Sequence, residues 1–164
     1  MDTGVITKDT KPNPQSHYGK SKWQAEQAIS PLDSESFKLC ILRPPMVYGH
    51  GCKGNYQALV KIAKVLPVLP DYKNQRSMIS IDNLSKHVKQ SIDASLKGVY
   101  FPQDASYSCT CDMIEKLRKD LGKKYIKVKI MNPFIKLYVK CTKKGRKAFG
   151  SLIYKDADAL NLRV

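Results

Sequence analysis

Apolar and polar positions along the chain mark out alternating helices and strands. Residues 1–15, with Pro12 and Pro14 among polar neighbours, read as a loop that can continue neither a helix nor a central strand. Ser16 then offers an N-cap, and Tyr18 to Ile29 has helix-forming composition ending before Pro31. Phe37 to Leu42 is a mostly apolar run of strand length, stopped by Arg43, Pro44 and Pro45, which predicts a largely buried strand. A helix feeding a buried strand is half of an α/β crossover unit.

Beyond the irregular loop marked by Gly49, Gly51 and Gly54, a helix is expected from Tyr56 to Leu66, stopped by Pro67 and Pro70. Ser77 to Ile81 reads as a short strand, Asp82 as the cap of a helix running to Leu96, and Val99 to Phe101 as another strand. Asp112 to Leu121 reads as a helix with Thr110 as its cap and Gly122 after it. Tyr125 to Ile130 alternates apolar with polar, as a half-exposed strand does. Pro133 to Val139 reads as helical, and Phe149 to Tyr154 as a last apolar segment. The expected class is α/β, opening late in a crossover series. The glycine-rich strand-turn-helix that seats a pyrophosphate is absent, because the cluster Gly49, Gly51 and Gly54 follows a Pro-Pro break with the wrong spacing. A strand of buried type at 37–42 without neighbours should leave an apolar patch exposed.

Composition changes this picture little. The chain has 164 residues, 42% hydrophobic and 26% charged, which fits a folded protein rather than a disordered one. No run approaches the roughly 20 apolar residues of a membrane span, and the opening residues lack a signal-peptide pattern. The expected location is therefore cytoplasmic, without a membrane partner. Cys40, Cys52, Cys109, Cys111 and Cys141 are odd in number and lack framework spacing, so they are read as thiols; Cys109 and Cys111 alone do not make a zinc site. A net charge of +15 favours anionic partners without choosing among nucleic acid, an acidic membrane surface and phosphorylated small molecules. The lysines are densest from Lys116 to Lys147. Nucleic acid is disfavoured, since aromatics are not interleaved with the lysines and no helix-turn-helix or zinc pattern appears.

Candidate chemistry begins with Tyr18 and Lys22. Residues i and i+4 share a helix face, so the Lys22 ammonium can approach the Tyr18 phenol. A tyrosine titrates near 10, and service as a base near pH 7 needs a depression of about 3 units, to which one nearby cation contributes about 1–3. Nine tyrosines and 24 lysines make about one such spacing expected by chance, so spacing alone carries nothing. The second match, Tyr125 and Lys129, lies on an expected strand, where four residues span about 13 Å.

Order and context raise the first pair. Pro12-Asn13-Pro14 precedes Tyr18-Gly19-Lys20-Ser21-Lys22; Leu42-Arg43-Pro44-Pro45-Met46-Val47-Tyr48-Gly49 follows, and then Arg76-Ser77-Met78-Ile79-Ser80-Ile81-Asp82-Asn83-Leu84. In this order the motifs resemble the C-terminal part of extended short-chain dehydrogenases, the NAD-dependent epimerases and dehydratases, and most closely bacterial UDP-glucose 4-epimerase-like proteins. The resemblance implies the later part of a Rossmann-like fold in residues 1–50 and a mainly substrate-binding subdomain in 51–164, with 77–101 returning to the Rossmann-like sheet.

It also implies NAD as cofactor, a UDP-sugar as substrate, an upstream nucleotide-binding half outside this chain and a homodimer of the full-length form. Tyr18 would be the acid/base, Lys22 would tune it and bind the nicotinamide ribose, and Pro45 would meet the nicotinamide end. Asn55 would contact the nucleotide-sugar and Arg76 its diphosphate, a task that suits a planar guanidinium. Two bland alternatives stand beside these, Arg76 as an ordinary surface charge and Asn55 as a turn residue. Met46 stands where sugar epimerases often have asparagine, and the family's catalytic Ser or Thr would lie upstream of residue 1. The resemblance leaves epimerase, dehydratase and reductase chemistry open, and a non-catalytic anion-binding remnant is the competing reading of another class. Without the glycine-rich turn, the chain by itself is expected to be inactive.

Overall fold

The computed structural model describes residues 3–155. Its eight described strands, each of three residues, form four separate parallel pairs. Strand β1 (Gly4–Ile6) pairs with β8 (Leu152–Tyr154), β2 (Cys40–Leu42) with β6 (Gly98–Tyr100), β3 (Met46–Tyr48) with β5 (Met78–Ser80), and β4 (Val68–Pro70) with β7 (Ile126–Val128). Parallel neighbours cannot be joined by a hairpin, so every pair is closed by a long connection containing helices. The helices are α1 (His17–Ile29), α2 (Asn55–Val65), α3 (Ile81–Asp93), α4 (Thr110–Asp120), α5 (Asn132–Cys141) and α6 (Lys143–Phe149). This is the expected α/β class with parallel pairing.

Local chemistry accounts for several boundaries. Ser16 caps α1 by accepting a hydrogen bond from the Gly19 amide at 3.0 Å, and Ser80 caps α3 by accepting from Asn83 at 3.1 Å. Met78 and Ile79 on β5 are both fully buried, as a parallel strand covered on both faces requires. Gly49 ends β3 at φ 138°, and a Cβ there would stand 2.7 Å from the Ile81 side chain, so the close approach of β3 to α3 needs glycine.

The core sits where α2 meets α4: Leu59, Ala63, Leu69 and Ile114 are buried together, with Met46, Ile62, Leu117 and Tyr125 packed around them. Arg118 is buried beside this cluster. Its guanidinium donates to the Ala63 carbonyl at 2.6 Å, near the C-terminus of α2, and to the Lys124 carbonyl at 2.6 and 3.2 Å. A cation is well placed against the unpaired carbonyls that end a helix.

The structure departs from the expectations at definite places. Residues 4–6 are a strand inside the segment read as loop, followed by a turn in which Thr7 and Thr10 bond each other. Strands β3 and β4 were not expected, and the run from Phe37 contributes only Cys40–Leu42, leaving Phe37 exposed. Ser80 rather than Asp82 caps α3, and Cys109 rather than Thr110 occupies the cap position of α4. The apolar segment expected at 149–154 divides, Phe149 ending α6 and Leu152–Tyr154 forming β8. Beside β2 lies an open cavity of about 560 Å³ of mixed character, where Leu39, Leu42, Val88 and Ile92 alternate with Glu35, Lys38 and Ser91.

Candidate functional site

Helix α1 holds Tyr18 and Lys22 one turn apart. The Lys22 ammonium lies over the Tyr18 ring, 5.9 Å from its centroid, and Tyr18 is 73% exposed. The pair therefore faces open space rather than a packed core. The helix is fixed at its other end by Arg43, which follows β2: its guanidinium makes a two-pronged ion pair with Glu26 and stacks 5.5 Å over Trp23 and 5.7 Å over Phe101. A bidentate pair combined with stacking holds orientation better than a point charge would. Lys22, Trp23, Glu26 and Arg43 line a cavity of about 550 Å³ together with residues 11–15 of the preceding loop.

Asn55 and Arg76 meet elsewhere, in a cavity of about 280 Å³ walled by Met46, Ala58, Ile62, Lys144 and Lys147 among others. Asn55 is the first residue of α2, so its side chain stands at the positive end of that helix. Arg76 is tied to the frame: Nη1 donates to the Lys147 carbonyl at 2.8 Å and the Gly150 carbonyl at 3.1 Å, and its backbone exchanges 2.8 Å bonds with Ser108. Its guanidinium thus holds the end of α6. Lys144 and Lys147, both on α6, line the same cavity and add positive charge to its surroundings.

Pro45 lies in the short link between β2 and β3, half-buried, and lines none of these cavities. The structure thus groups the expected residues as Tyr18 with Lys22 and Asn55 with Arg76; Lys22 lines one cavity and Asn55 and Arg76 another, while Tyr18, like Pro45, lines none of the three. Sequence reasoning missed Trp23, Glu26, Arg43, Lys144 and Lys147. The lysines had a legible signal in the basic density that ends near Lys147, but nothing in the sequence brought α6 to Arg76.

Two polar networks lie outside these cavities. Asp104 accepts from Tyr48 at 2.7 Å and from Asn83 at 2.7 Å, and burial together with that bond pushes the Tyr48 phenol up to about 12. At the start of α4 the Cys109 thiol is held below the usual thiol range, chiefly by its hydrogen bond with Cys111, whose own thiol is pushed up by the same contact and by burial.

The family model described as male sterility protein, an NAD-binding family, matches residues 2–89. The chain belongs to this family. Its curated relatives include UDP-glucose 4-epimerase of Vibrio cholerae, 32% identical over 116 residues, covering 67% of this chain and 35% of that protein. Among solved structures, UDP-glucuronic acid 4-epimerase of Bacillus cereus in complex with NAD aligns with a TM-score of 0.64 at 18% identity, covering 95% of this chain and 48% of the other. A dTDP-4-dehydrorhamnose reductase of Clostridium acetobutylicum aligns with a TM-score of 0.60 at 21% identity, covering 77% and 44%. The structural likenesses establish the Rossmann-type fold. The chain thus spans about a third of that epimerase sequence and under half of each structure, as an NAD-dependent epimerase/dehydratase portion whose family cofactor is NAD. No helix among the described residues is long and apolar enough to cross a membrane.

The residues present suit one end of that cofactor. Among the described residues Lys22 has no carboxylate partner, and its three donors stand beside an exposed phenol, a donor set that suits ribose hydroxyls. A glycine-rich cradle for the pyrophosphate is not found in these 164 residues.

Proposed function

We propose that this chain carries the acid/base helix and the sugar-diphosphate side of an NAD-dependent nucleotide-sugar 4-epimerase acting on UDP-sugars. The observation that carries the reading is the Lys22 ammonium over the exposed Tyr18 ring, on a helix locked by Glu26 and Arg43. NAD, when bound, supplies the hydride acceptor. Tyr18 then takes the proton from the sugar hydroxyl and returns it, while Lys22 favours the phenolate by its charge and holds the nicotinamide ribose. Pro45 meets the nicotinamide end through its backbone.

Asn55 orients the nucleotide-sugar, and the diphosphate is met by Arg76 together with Lys144 and Lys147. The hydrogen bonds of Arg76 support this division of labour. Part of Arg76 is spent on the carbonyls of Lys147 and Gly150, so α6 brings the added charge. The pairing of β6 with β2 and of β5 with β3 supports assigning residues 77–101 to the sheet begun in residues 1–50, with most of 51–164 forming the substrate side.

By itself the chain lacks the glycine-rich turn that dominates dinucleotide affinity, so it neither turns over UDP-sugars nor binds NAD tightly. The test joins it downstream of the segment of the Vibrio cholerae epimerase that precedes the matching region, and assays UDP-glucose and UDP-galactose interconversion. Turnover by a folded chimera, abolished by Tyr18→Phe, is expected. A folded chimera whose turnover survives Tyr18→Phe would refute the assignment of the base.

A further inference from the structure

Helix α5 turns an apolar face away from the protein. Its inward residues, Asn132, Ile135 and Val139, are half-buried, whereas Phe134 is 71% exposed, Leu137 60% and Tyr138 39%. With exposed Cys141 these positions form one stripe at helical spacing. Ile130, 79% exposed in the helical turn just ahead, extends it. A helix on a protein surface ordinarily places polar residues there.

The charge around this stripe has one sign. From Leu121 to Lys155 the sequence carries eleven lysines and arginines and no aspartate or glutamate. Lys129, Lys136, Lys140, Lys143 and Lys144 are all exposed near the stripe, and among the described residues none has a carboxylate partner. The occupant of this face must therefore accept aliphatic and aromatic side chains at its centre and offer negative charge at its margin.

An anionic bilayer surface meets both demands. A second copy of the chain would bring two lysine rims together, and a nucleic acid would leave Ile130 and Leu137 without a partner. We propose that α5 and the turn before it form a membrane-surface contact, with Ile130, Phe134 and Leu137 at the boundary of the acyl chains and the surrounding lysines on anionic lipid headgroups. Ten residues of helix span only about 15 Å, so the element lies in the interface and does not cross it. The expectation of no membrane partner rested on the lack of a spanning segment, which an interfacial helix does not need. The proposal is independent of the reaction assigned to Tyr18.

The test is co-sedimentation of the 164-residue chain with vesicles of phosphatidylcholine, with and without phosphatidylglycerol. Binding should be at least about tenfold stronger to the anionic vesicles and should fall as salt rises. Phe134→Ser with Leu137→Ser should weaken it several-fold, as should Lys136→Gln with Lys140→Gln. Lys61→Gln with Lys86→Gln, on exposed positions of α2 and α3, should leave it within about twofold. Circular dichroism melts confirm that each variant is folded; both altered α5 residues are solvent-exposed, so their loss does not open the core.

Three results would overturn the proposal. One is binding that ignores the apolar pair, which would mean unspecific attraction of a basic protein. Another is absence of vesicle binding with a self-association that the apolar pair abolishes. The third is absence of vesicle binding with tight, lysine-dependent binding of duplex RNA.

Discussion

Gly145 is a position where one methyl group should disturb the cavity that Asn55 and Arg76 line, proposed above to take the sugar diphosphate. A Cβ there would lie 2.2 Å from the Tyr138 carbonyl oxygen, 2.6 Å from its carbon and 2.8 Å from the Thr142 hydroxyl. That carbonyl already accepts from the Thr142 amide at 3.0 Å and hydroxyl at 2.9 Å, so it cannot turn aside without breaking the corner between α5 and α6. Non-bonded atoms rest at about 3.5 Å, so α6 must retreat by roughly 1 Å.

Alanine gains up to about 1 kcal/mol in helix propensity over glycine, and forced overpacking costs about 1–3 kcal/mol. Because the obstacle is backbone, the cost wins. Gly145→Ala should lose about 1–2 kcal/mol, lowering Tm by roughly 3–6 °C for a chain of this size. The retreat carries Lys144 and Lys147 away from Arg76, so calorimetric titration with UDP-glucose should show several-fold weaker binding. A melting temperature equal to or above the parent's, with unchanged affinity, would refute the reasoning.

Other perturbations have equally definite signs. Glu115 is held down to about 2 by hydrogen bonds from Lys127, Tyr125 and Lys119, against 4.5 for a free carboxyl. Its contribution to stability is thus complete above pH 4.5 and lost as pH falls towards 2, so Glu115→Gln should flatten the fall in Tm between pH 5 and pH 3, measured by thermal melts. Cys109, lowered by its bond with Cys111 and half-buried, should be alkylated by iodoacetamide at pH 6.5 faster than exposed Cys141, as read by peptide mass spectrometry; Cys111→Ser should shrink the difference. Arg118→Met leaves the carbonyls of Ala63 and Lys124 without their buried donor and should cost about 2–4 kcal/mol by chemical denaturation, with an unchanged m-value.

Where the sequence carried periodicity or a cap, it also carried the element. Ser16 and the residues after it define α1, the run into Pro44 ends in β2, and the stretch from Tyr56 lies in α2. Strands β1, β3 and β4 could not be read because each is a short run against a glycine or proline that marks a break, Gly4, Pro45 and Gly49, Pro67 and Pro70, and each exists by virtue of a distant partner. Helix α6 was hidden for another reason: Lys143-Lys144-Gly145-Arg146-Lys147 has no apolar period, and its place is fixed by the Thr142 cap and by Arg76. The pairing of Tyr18 with Lys22 was legible because it is local. The meeting of Arg76 with Lys147 was not, because the two lie 71 positions apart.

The ladder between β1 and β8 has a temporal consequence. Val5 pairs with Ile153, and the turn after β1 leads directly to the loop ahead of Tyr18. At about 5–20 residues per second of synthesis, roughly 7–30 s separate the two strands' emergence from the ribosome. Contacts of such sequence separation also close slowly once both partners exist. The segment that leads to α1 is therefore made well before the β8 strand that anchors it, and through that interval the β1 edge that β8 will cover stays open to chaperones or to the β8 of another chain.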